Sequence, residues 1–219
     1  MRCRPRRARA GSVSAPQVGL MVCRYDPSPM LTRSLAPHLR PGPLPASPRL
    51  RRWLLAPGSL TARLRRHGAV TVEVLSQGRQ TLLPQERRAL RCHAAHVREV
   101  LLRIDGRAAV WARSATSLRS VKGPWAPVKG LGKRPLAELL FSDRRVTRQA
   151  LQASHLHRSS PLHQGMARAW EAHAGHGAEG EVPRLPHWAR HSLFWHRGAP
   201  LQVLEAFAPW VTALNCDRR

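Results

Sequence analysis

Hydrophobic and polar positions alternate with a period of two along AVTVEVLSQG, where Val70, Val72 and Val74 share one face. The same alternation returns in HVREVLLRIDGRAAVWARS, which carries Asp105 and Gly106 near its middle. Period-two alternation is typical of half-buried β-strands, and Asp-Gly between two such runs favours a tight hairpin turn. The pattern therefore predicts a strand followed by a β-hairpin.

Other segments carry helix start and stop signals. RLRRWLL is followed by Pro57 and Gly58, and LTARLRRH lies between a capping residue, Ser59, and a terminating residue, Gly68. KGLGKRPLAELLF joins a glycine-rich loop to a short amphipathic helix, whose first turn suits Pro135. We expect SDRRVTRQALQAS to extend this helical region.

A second hairpin is predicted in SLFWHRGAPLQVLEAFAP, with its turn near Gly198. Strands and helices are grouped along the chain and do not strictly alternate. This arrangement predicts an α+β fold, with a single antiparallel β-sheet and helices packed against it. A chain of 219 residues that is 42% hydrophobic suits one domain with extensions.

Composition divides the chain into segments. Residues 1–48 are rich in Arg, Pro and Ser and are predicted to be a disordered extension; alternatives are an organelle transit peptide, or an over-extended start if Met30 begins the chain. Residues 49–210 form the predicted domain. Residues 155–187 are rich in His, Gly and Pro and are predicted to be a mobile insertion, and residues 211–219 a short tail.

The net charge of +25 comes almost entirely from arginine and suggests a polyanionic partner. The arginines, however, are spread along the whole chain. No helix-turn-helix, zinc-finger or aromatic RNA-binding signature accompanies them. We therefore expect nonspecific affinity for nucleic acid and no specific nucleic-acid partner.

Cysteine and histidine spacing gives no metal site. The cysteines are Cys3, Cys23, Cys92 and Cys216, and the histidines of the insertion include His155, His157, His163, His173 and His176. Neither set has the spacing of a standard metal site, and scattered cysteines favour unpaired thiols in a reducing compartment. No hydrophobic run is long enough for a membrane span. We expect a cytoplasmic protein without bound metal.

Two charged residues occupy apolar strand faces. Arg98 alternates with Val100 and Leu102, and Glu205 follows Val203 on the same face of the last strand. Removing one partner of a buried ion pair costs roughly 3–5 kcal/mol. The two residues therefore face each other as a structural ion pair, face a small anionic ligand, or are displaced by a one-residue register slip. The pattern leaves these alternatives open.

The blocks WLLAPGSLTARL, LLPQERRAL, HVREVLLRIDGRAAVWARS, LGKRPLAELLF and WARHSLFWHRGAPLQVLEAFAP, in this order, resemble the chorismate pyruvate-lyase family. The match covers roughly residues 50–150 and 188–210. The resemblance implies a single α+β domain with its ligand enclosed under two flaps, no metal or organic cofactor, and a monomer. It also implies conversion of chorismate to 4-hydroxybenzoate and pyruvate, the first step of bacterial ubiquinone biosynthesis.

The resemblance also implies particular site residues. The ligand-binding arginine of the family aligns with Arg98 and its carboxylate with Glu205, so these two are the expected catalytic residues. A backbone contact aligns with Leu136, and a helix-start position, methionine in some members, aligns with Leu60. Arg98 would clamp the ring carboxylate of chorismate bidentately. Glu205 would hold the ring hydroxyl, and either transfers a proton or only positions the substrate.

Two further arginines are candidates for the second carboxylate of chorismate. Arg113 lies on the return strand of the first hairpin, and Arg190 lies in WARHS. For each, the alternative is a solvated charge at the edge of a strand. Gln202 and Ala206 stand where larger or more apolar residues are expected, which predicts a looser pocket.

Two other functions remain open from the sequence. One is a noncatalytic sensor module of related fold that binds a small carboxylate. The other is a basic nucleic-acid-binding protein, suggested by charge alone.

Overall fold

The structure, a computed structural model, describes residues 47–175 and 184–216. The predicted extension over residues 1–48 lies almost wholly outside the described residues, as do Cys3, Cys23 and His176. Within the described part, the fold is α+β as predicted. None of its helices is long and apolar enough to cross a membrane.

Seven antiparallel strands form one sheet. Its strand order is β1-β2-β3-β7-β6-β4, and β5 pairs with β6 on the same side as β4. The strands are β1 (Val70–Thr81), β2 (Ala94–Ile104), β3 (Arg107–Ser117), β4 (Val146–Arg148), β5 (Gln152–His155), β6 (Trp188–His196) and β7 (Ala199–Phe207). The central β3–β7 pairing joins the two halves of the chain.

Both predicted hairpins are present. The β2–β3 turn has Asp105 at φ 48° and Gly106 at φ 81°, and the β6–β7 turn has Arg197 at φ 48° and Gly198 at φ 74°. Two-residue turns with positive φ at both positions match the twist of the flanking strands. The Asp105 carboxylate also accepts a hydrogen bond of 2.8 Å from the Ala69 amide, which ties this turn to the start of β1.

In the described part of the chain, six α-helices accompany the sheet: α1 (Pro48–Leu55), α2 (Leu60–Leu64), α3 (Pro84–Leu90), α4 (Leu136–Ser142), α5 (Pro161–His173) and α6 (Pro209–Ala213). The Ser59 hydroxyl accepts a hydrogen bond from the Ala62 amide, as the predicted cap of α2 requires. Pro135 occupies the N-cap position of α4, immediately before the helix. α1 packs on β5 and β6, and α3 packs on β3 and β7.

The prediction that SDRRVTRQALQAS continues a helix is wrong. This segment contains β4 and β5, and both strands pair with β6. Pairing with a partner far along the chain overrides a weak local preference in such short segments.

Residues of the insertion and of the tail both contribute to the described structure. Within residues 155–187, α5 buries Leu162, Met166 and Trp170, which are spaced four residues apart and therefore share one helix face. This spacing in the sequence indicates a helix, but the His-rich and Gly-rich composition of the segment favours a loop. In the tail, the Leu214 carbonyl accepts a hydrogen bond of 3.1 Å from the Trp53 indole.

A buried cluster of three charges fastens α3 to the sheet. Arg113 is 7% exposed, and its guanidinium contacts the carboxylates of Glu86 at 2.6 Å and Glu99 at 2.5 Å. Burial opposes the charge, but the hydrogen bonds and charges of Glu86 and Glu99 raise the pKa of Arg113 overall. Glu86 also accepts from the Leu83 amide at the start of α3. A solvated strand edge, the alternative for Arg113, is wrong.

Replacing Arg113 with Ala leaves two carboxylates close together without their shared cation. We expect Arg113→Ala to lower the free energy of unfolding by about 3–5 kcal/mol, measured by urea denaturation. Arg107→Ala, at an exposed position on the same strand, is the control and should cost much less. A loss below about 1 kcal/mol for Arg113→Ala would contradict a structural role for the cluster.

His191 predicts a stability change with pH. Burial lowers the pKa of this histidine to about 4, and its Nε2 contacts the Gln152 side-chain oxygen at 3.0 Å. The unfolded chain therefore binds a proton between about pH 6.5 and pH 4 that the folded protein does not, so stability falls as pH falls through this window. We expect wild type to lose roughly 3 kcal/mol more than His191→Gln over this range. The free energies of unfolding of both proteins are measured by denaturation at each pH. An equal loss for the two proteins over this range would refute the assignment.

Candidate functional site

A cavity lies between one face of the sheet and the segments that carry α2 and α4. It contains about 620 Å³ of empty space, a figure that includes the part open to solvent. Its walls are mainly apolar, and the polar groups on them are few. The apolar lining includes Val72, Val100, Leu102, Leu140, Phe194 and Val203.

The four residues expected from the resemblance to contact substrate all border this cavity: Leu60, Arg98, Leu136 and Glu205. Leu60 is 3% exposed and provides an apolar wall. Leu136 is the first residue of α4, where backbone amides have no acceptor within the helix. Its amide is therefore suitable for an oxygen atom of a ligand.

Arg98 is held by neutral oxygen atoms only. Its guanidinium donates to the Gln77 side-chain oxygen at 2.6 Å, and to the carbonyls of Gly132 at 2.7 Å and Arg134 at 3.3 Å. These bonds use three of its five donors. Burial lowers the pKa of Arg98, and within the described residues no carboxylate lies within ion-pair distance of it. The site therefore offers a buried cation whose charge is not neutralised.

Glu205 is paired with a different arginine. The Arg190 Nε donates to Glu205 at 2.6 Å, and β6 and β7 place these residues directly opposite each other. A direct Arg98–Glu205 ion pair, one of the alternatives left open by the sequence, is therefore wrong. Arg190 is only 1% exposed, so a solvated strand edge is wrong for this residue as well.

Arg190 also holds the covering segment, residues 53–58, which leads from the end of α1 towards α2 and whose Gly58 borders the cavity. Its Nη1 donates to the carbonyls of Trp53 at 3.3 Å and Ala56 at 3.0 Å, both near the end of α1. Its guanidinium lies 5.6 Å from the centre of the Phe207 ring. Arg190 therefore fixes the Glu205 carboxylate and the covering segment together.

Arg113 also borders the cavity, but its guanidinium is bound by Glu86 and Glu99. These two carboxylates already supply the negative charge that a ligand carboxylate would bring. We therefore exclude Arg113 from the residues proposed to bind substrate.

Arg148 is a site residue that the sequence analysis missed. It borders the cavity from β4, donates from Nε to the Ser192 hydroxyl at 3.0 Å, and lies 5.1 Å from the centre of the Phe194 ring. Burial, followed by the charge of Arg190, lowers its pKa to about 10. The three-residue strand that carries it is too short to show a period, so no sequence signal marked it.

In residues 47–175 and 184–216, no group of three or more His, Cys, Asp or Glu side chains is arranged to hold a metal ion. His155, His157, His163 and His187 lie near one another, with ring centres 6.1–6.5 Å apart between neighbours. The groups around the cavity are arginine, glutamate, serine and apolar side chains. This set suits an organic anion.

Comparisons with known proteins identify the family. The chorismate lyase family model matches residues 34–213. The probable chorismate pyruvate-lyase of Albidiferax ferrireducens is 45% identical over 177 residues, covering 77% of this chain and 88% of the relative. That of Azoarcus sp. is 42% identical over 180 residues, covering 80% and 92%.

Among solved structures, the effector domain of PhnF from Mycobacterium smegmatis matches with a TM-score of 0.40 and 11% identity, covering 69% of this chain and 89% of that chain. This likeness is too weak to support a functional argument. The sequence matches, in contrast, extend over most of the chain and most of each relative. This chain therefore belongs to the chorismate lyase family and is a lyase.

Proposed function

We propose that this protein converts chorismate to 4-hydroxybenzoate and pyruvate. The observation that carries the proposal is a mainly apolar cavity, partly open to solvent, with a buried, uncompensated guanidinium, Arg98, on one wall and a fixed carboxylate, Glu205, on another. Family membership and the names of the relatives support the same substrate. In this proposal the protein is a cytoplasmic monomer that needs no cofactor. Its product, 4-hydroxybenzoate, would supply ubiquinone biosynthesis.

Arg98 binds the ring carboxylate in this proposal. Two of its donors remain after its bonds to Gln77 and to the carbonyls of Gly132 and Arg134. A charge-assisted bond is strong, and the neighbouring carbonyls fix the direction in which the guanidinium points. The Leu136 amide and the Leu60 side chain complete the contacts around the ring.

Glu205 binds the ring hydroxyl. The reaction breaks the ether bond between the ring and the enolpyruvyl group, and the hydrogen of the hydroxyl-bearing ring carbon is lost. That hydrogen ends on the methylene carbon of the departing group, which gives pyruvate, and the ring becomes aromatic. A carboxylate held by Arg190 beside this carbon can orient the substrate or carry the proton. Aromatisation supplies much of the driving force, so positioning and exclusion of water dominate catalysis.

The direct test is incubation of purified protein with chorismate. We expect 4-hydroxybenzoate and pyruvate in equal amounts, without added metal and in the presence of a chelator, measured by chromatography and a coupled pyruvate assay. Binding of 4-hydroxybenzoate without turnover would instead favour the sensor module. Salt-sensitive binding to nucleic acid with site preference, and no turnover, would favour the nucleic-acid alternative.

Arg98→Ala removes the anchor of the ring carboxylate. We expect kcat/KM for chorismate to fall by about 100-fold or more, because hydrogen bonds to a charged group contribute about 1.5–3 kcal/mol each. Arg79→Ala, at an exposed position on β1, is the control and should keep normal activity. Circular dichroism distinguishes loss of the site from loss of the fold. A folded Arg98→Ala protein with normal kcat/KM would refute the assignment.

Glu205→Gln keeps the size of the side chain and removes its charge. If Glu205 carries the proton, we expect kcat to fall by about 100-fold or more with a smaller change in KM. If it only positions the ring hydroxyl, KM should rise more than kcat falls. Unchanged values of both constants would remove Glu205 from the site.

A further inference from the structure

Arg148 has no role in the reaction described so far, although it borders the same cavity as Arg98 and Glu205. Its hydrogen bonds go to the Ser192 hydroxyl at 3.0 Å and to the Gly58 carbonyl at 3.3 Å. Both partners are neutral, so at least two of its five donors remain available. Among residues 47–175 and 184–216, no carboxylate lies within ion-pair distance of it.

The charge of the cavity is therefore unbalanced. Among the described residues, Glu205 forms its ion pair with Arg190 and acts on Arg148 only through its charge at longer range, whereas neither Arg98 nor Arg148 has a carboxylate within ion-pair distance. A buried or half-buried guanidinium with neutral partners only is unfavourable unless a ligand brings the missing charge. Two such groups suit a ligand with two negative charges. Chorismate has two carboxylates, and 4-hydroxybenzoate has one.

The sheet places the two guanidinium-bearing strands far apart. Arg98 is on β2 and Arg148 is on β4, with β3, β7 and β6 between them. Four strand spacings correspond to about 19 Å between the two backbones. The cavity floor between them includes the small side chains of Ala112, Ser114 and Val203. The two arginines thus approach the cavity from opposite sides, with space for a ligand above this floor.

We infer that Arg148 binds the second carboxylate of the substrate, the one carried by the enolpyruvyl ether. This inference rests on the proposed function. Arg98 holds the ring carboxylate at one side of the cavity, and Arg148 holds the side chain that leaves as pyruvate. Arg190, one of the two candidates suggested by the sequence, is instead a positioning residue for Glu205.

The test uses two unreactive aromatic ligands that differ in one carboxylate. In 3-(carboxymethoxy)benzoate, the second carboxylate follows an ether at the ring position that bears the ether in chorismate; 3-methoxybenzoate lacks it. Affinities are measured by titration calorimetry. We expect wild type to bind the dicarboxylate about 10–100-fold more tightly than the monocarboxylate, because the contact with Arg148 is charge-assisted.

Arg148→Gln should remove this preference and leave the affinity for 3-methoxybenzoate within about threefold of wild type. Arg148→Lys keeps the charge and should restore part of the preference. Arg144→Gln, an exposed position in the preceding turn, is the matched control and should keep the full preference. Retained binding of 3-methoxybenzoate shows that each variant is folded.

Three results would overturn the inference: a wild type without preference, an Arg148→Gln protein that keeps the preference, or one that loses affinity for both ligands equally. The last result indicates a structural role. Turnover of chorismate is measured separately. If wild type shows the expected preference but produces no 4-hydroxybenzoate, the proposed function fails while the dicarboxylate site stands.

Discussion

The ion pair between Arg190 and Glu205 organises the site. The two residues face each other across β6 and β7, so their contact comes from the backbone register and needs no loop to bring them together. Arg190 then uses its second nitrogen to hold the end of α1. A single buried guanidinium thus links the sheet, the acid of the site and the segment that covers the cavity. Burying a guanidinium is costly, and the carboxylate and the two carbonyls offset this cost for Arg190.

The arginines that border the cavity divide into two groups. Arg113 and Arg190 contact carboxylates, and their charges are compensated within the protein. Among the described residues, the hydrogen bonds of Arg98 and Arg148 go to hydroxyl, amide and carbonyl oxygens, so their positive charge is not compensated by a carboxylate at ion-pair distance. The first pair stabilises the fold, and the second pair is proposed to bind the ligand. This division also shows why net charge alone is a poor guide to partners, because most of the arginine content lies outside the cavity.

Local signals predicted much of the fold, and distant pairings account for what they missed. The Asp105-Gly106 turn and the strand alternation predicted the first hairpin. The turn at Arg197 and Gly198 also determines that Arg190 lies opposite Glu205, because the two residues are equally far from the turn along β6 and β7. No local pattern could show that Val146–Arg148 joins the edge of β6, because three residues give no period and the pairing is long-range. The presence of a ligand cavity was predicted from the family resemblance and from the two charged residues on apolar strand faces.

The cover over the cavity is attached through its backbone. The carbonyls of Trp53 and Ala56 accept from Arg190, and the carbonyl of Gly58 accepts from Arg148. Every amino acid provides a carbonyl, so these attachments constrain the path of the chain and leave its side chains free to change. An exchange such as leucine for methionine at residue 60 can therefore alter the shape of the ligand space without detaching the cover. The ligand space of this protein can thus be reshaped at the cover while Arg148 and Arg190 keep their contacts with its backbone.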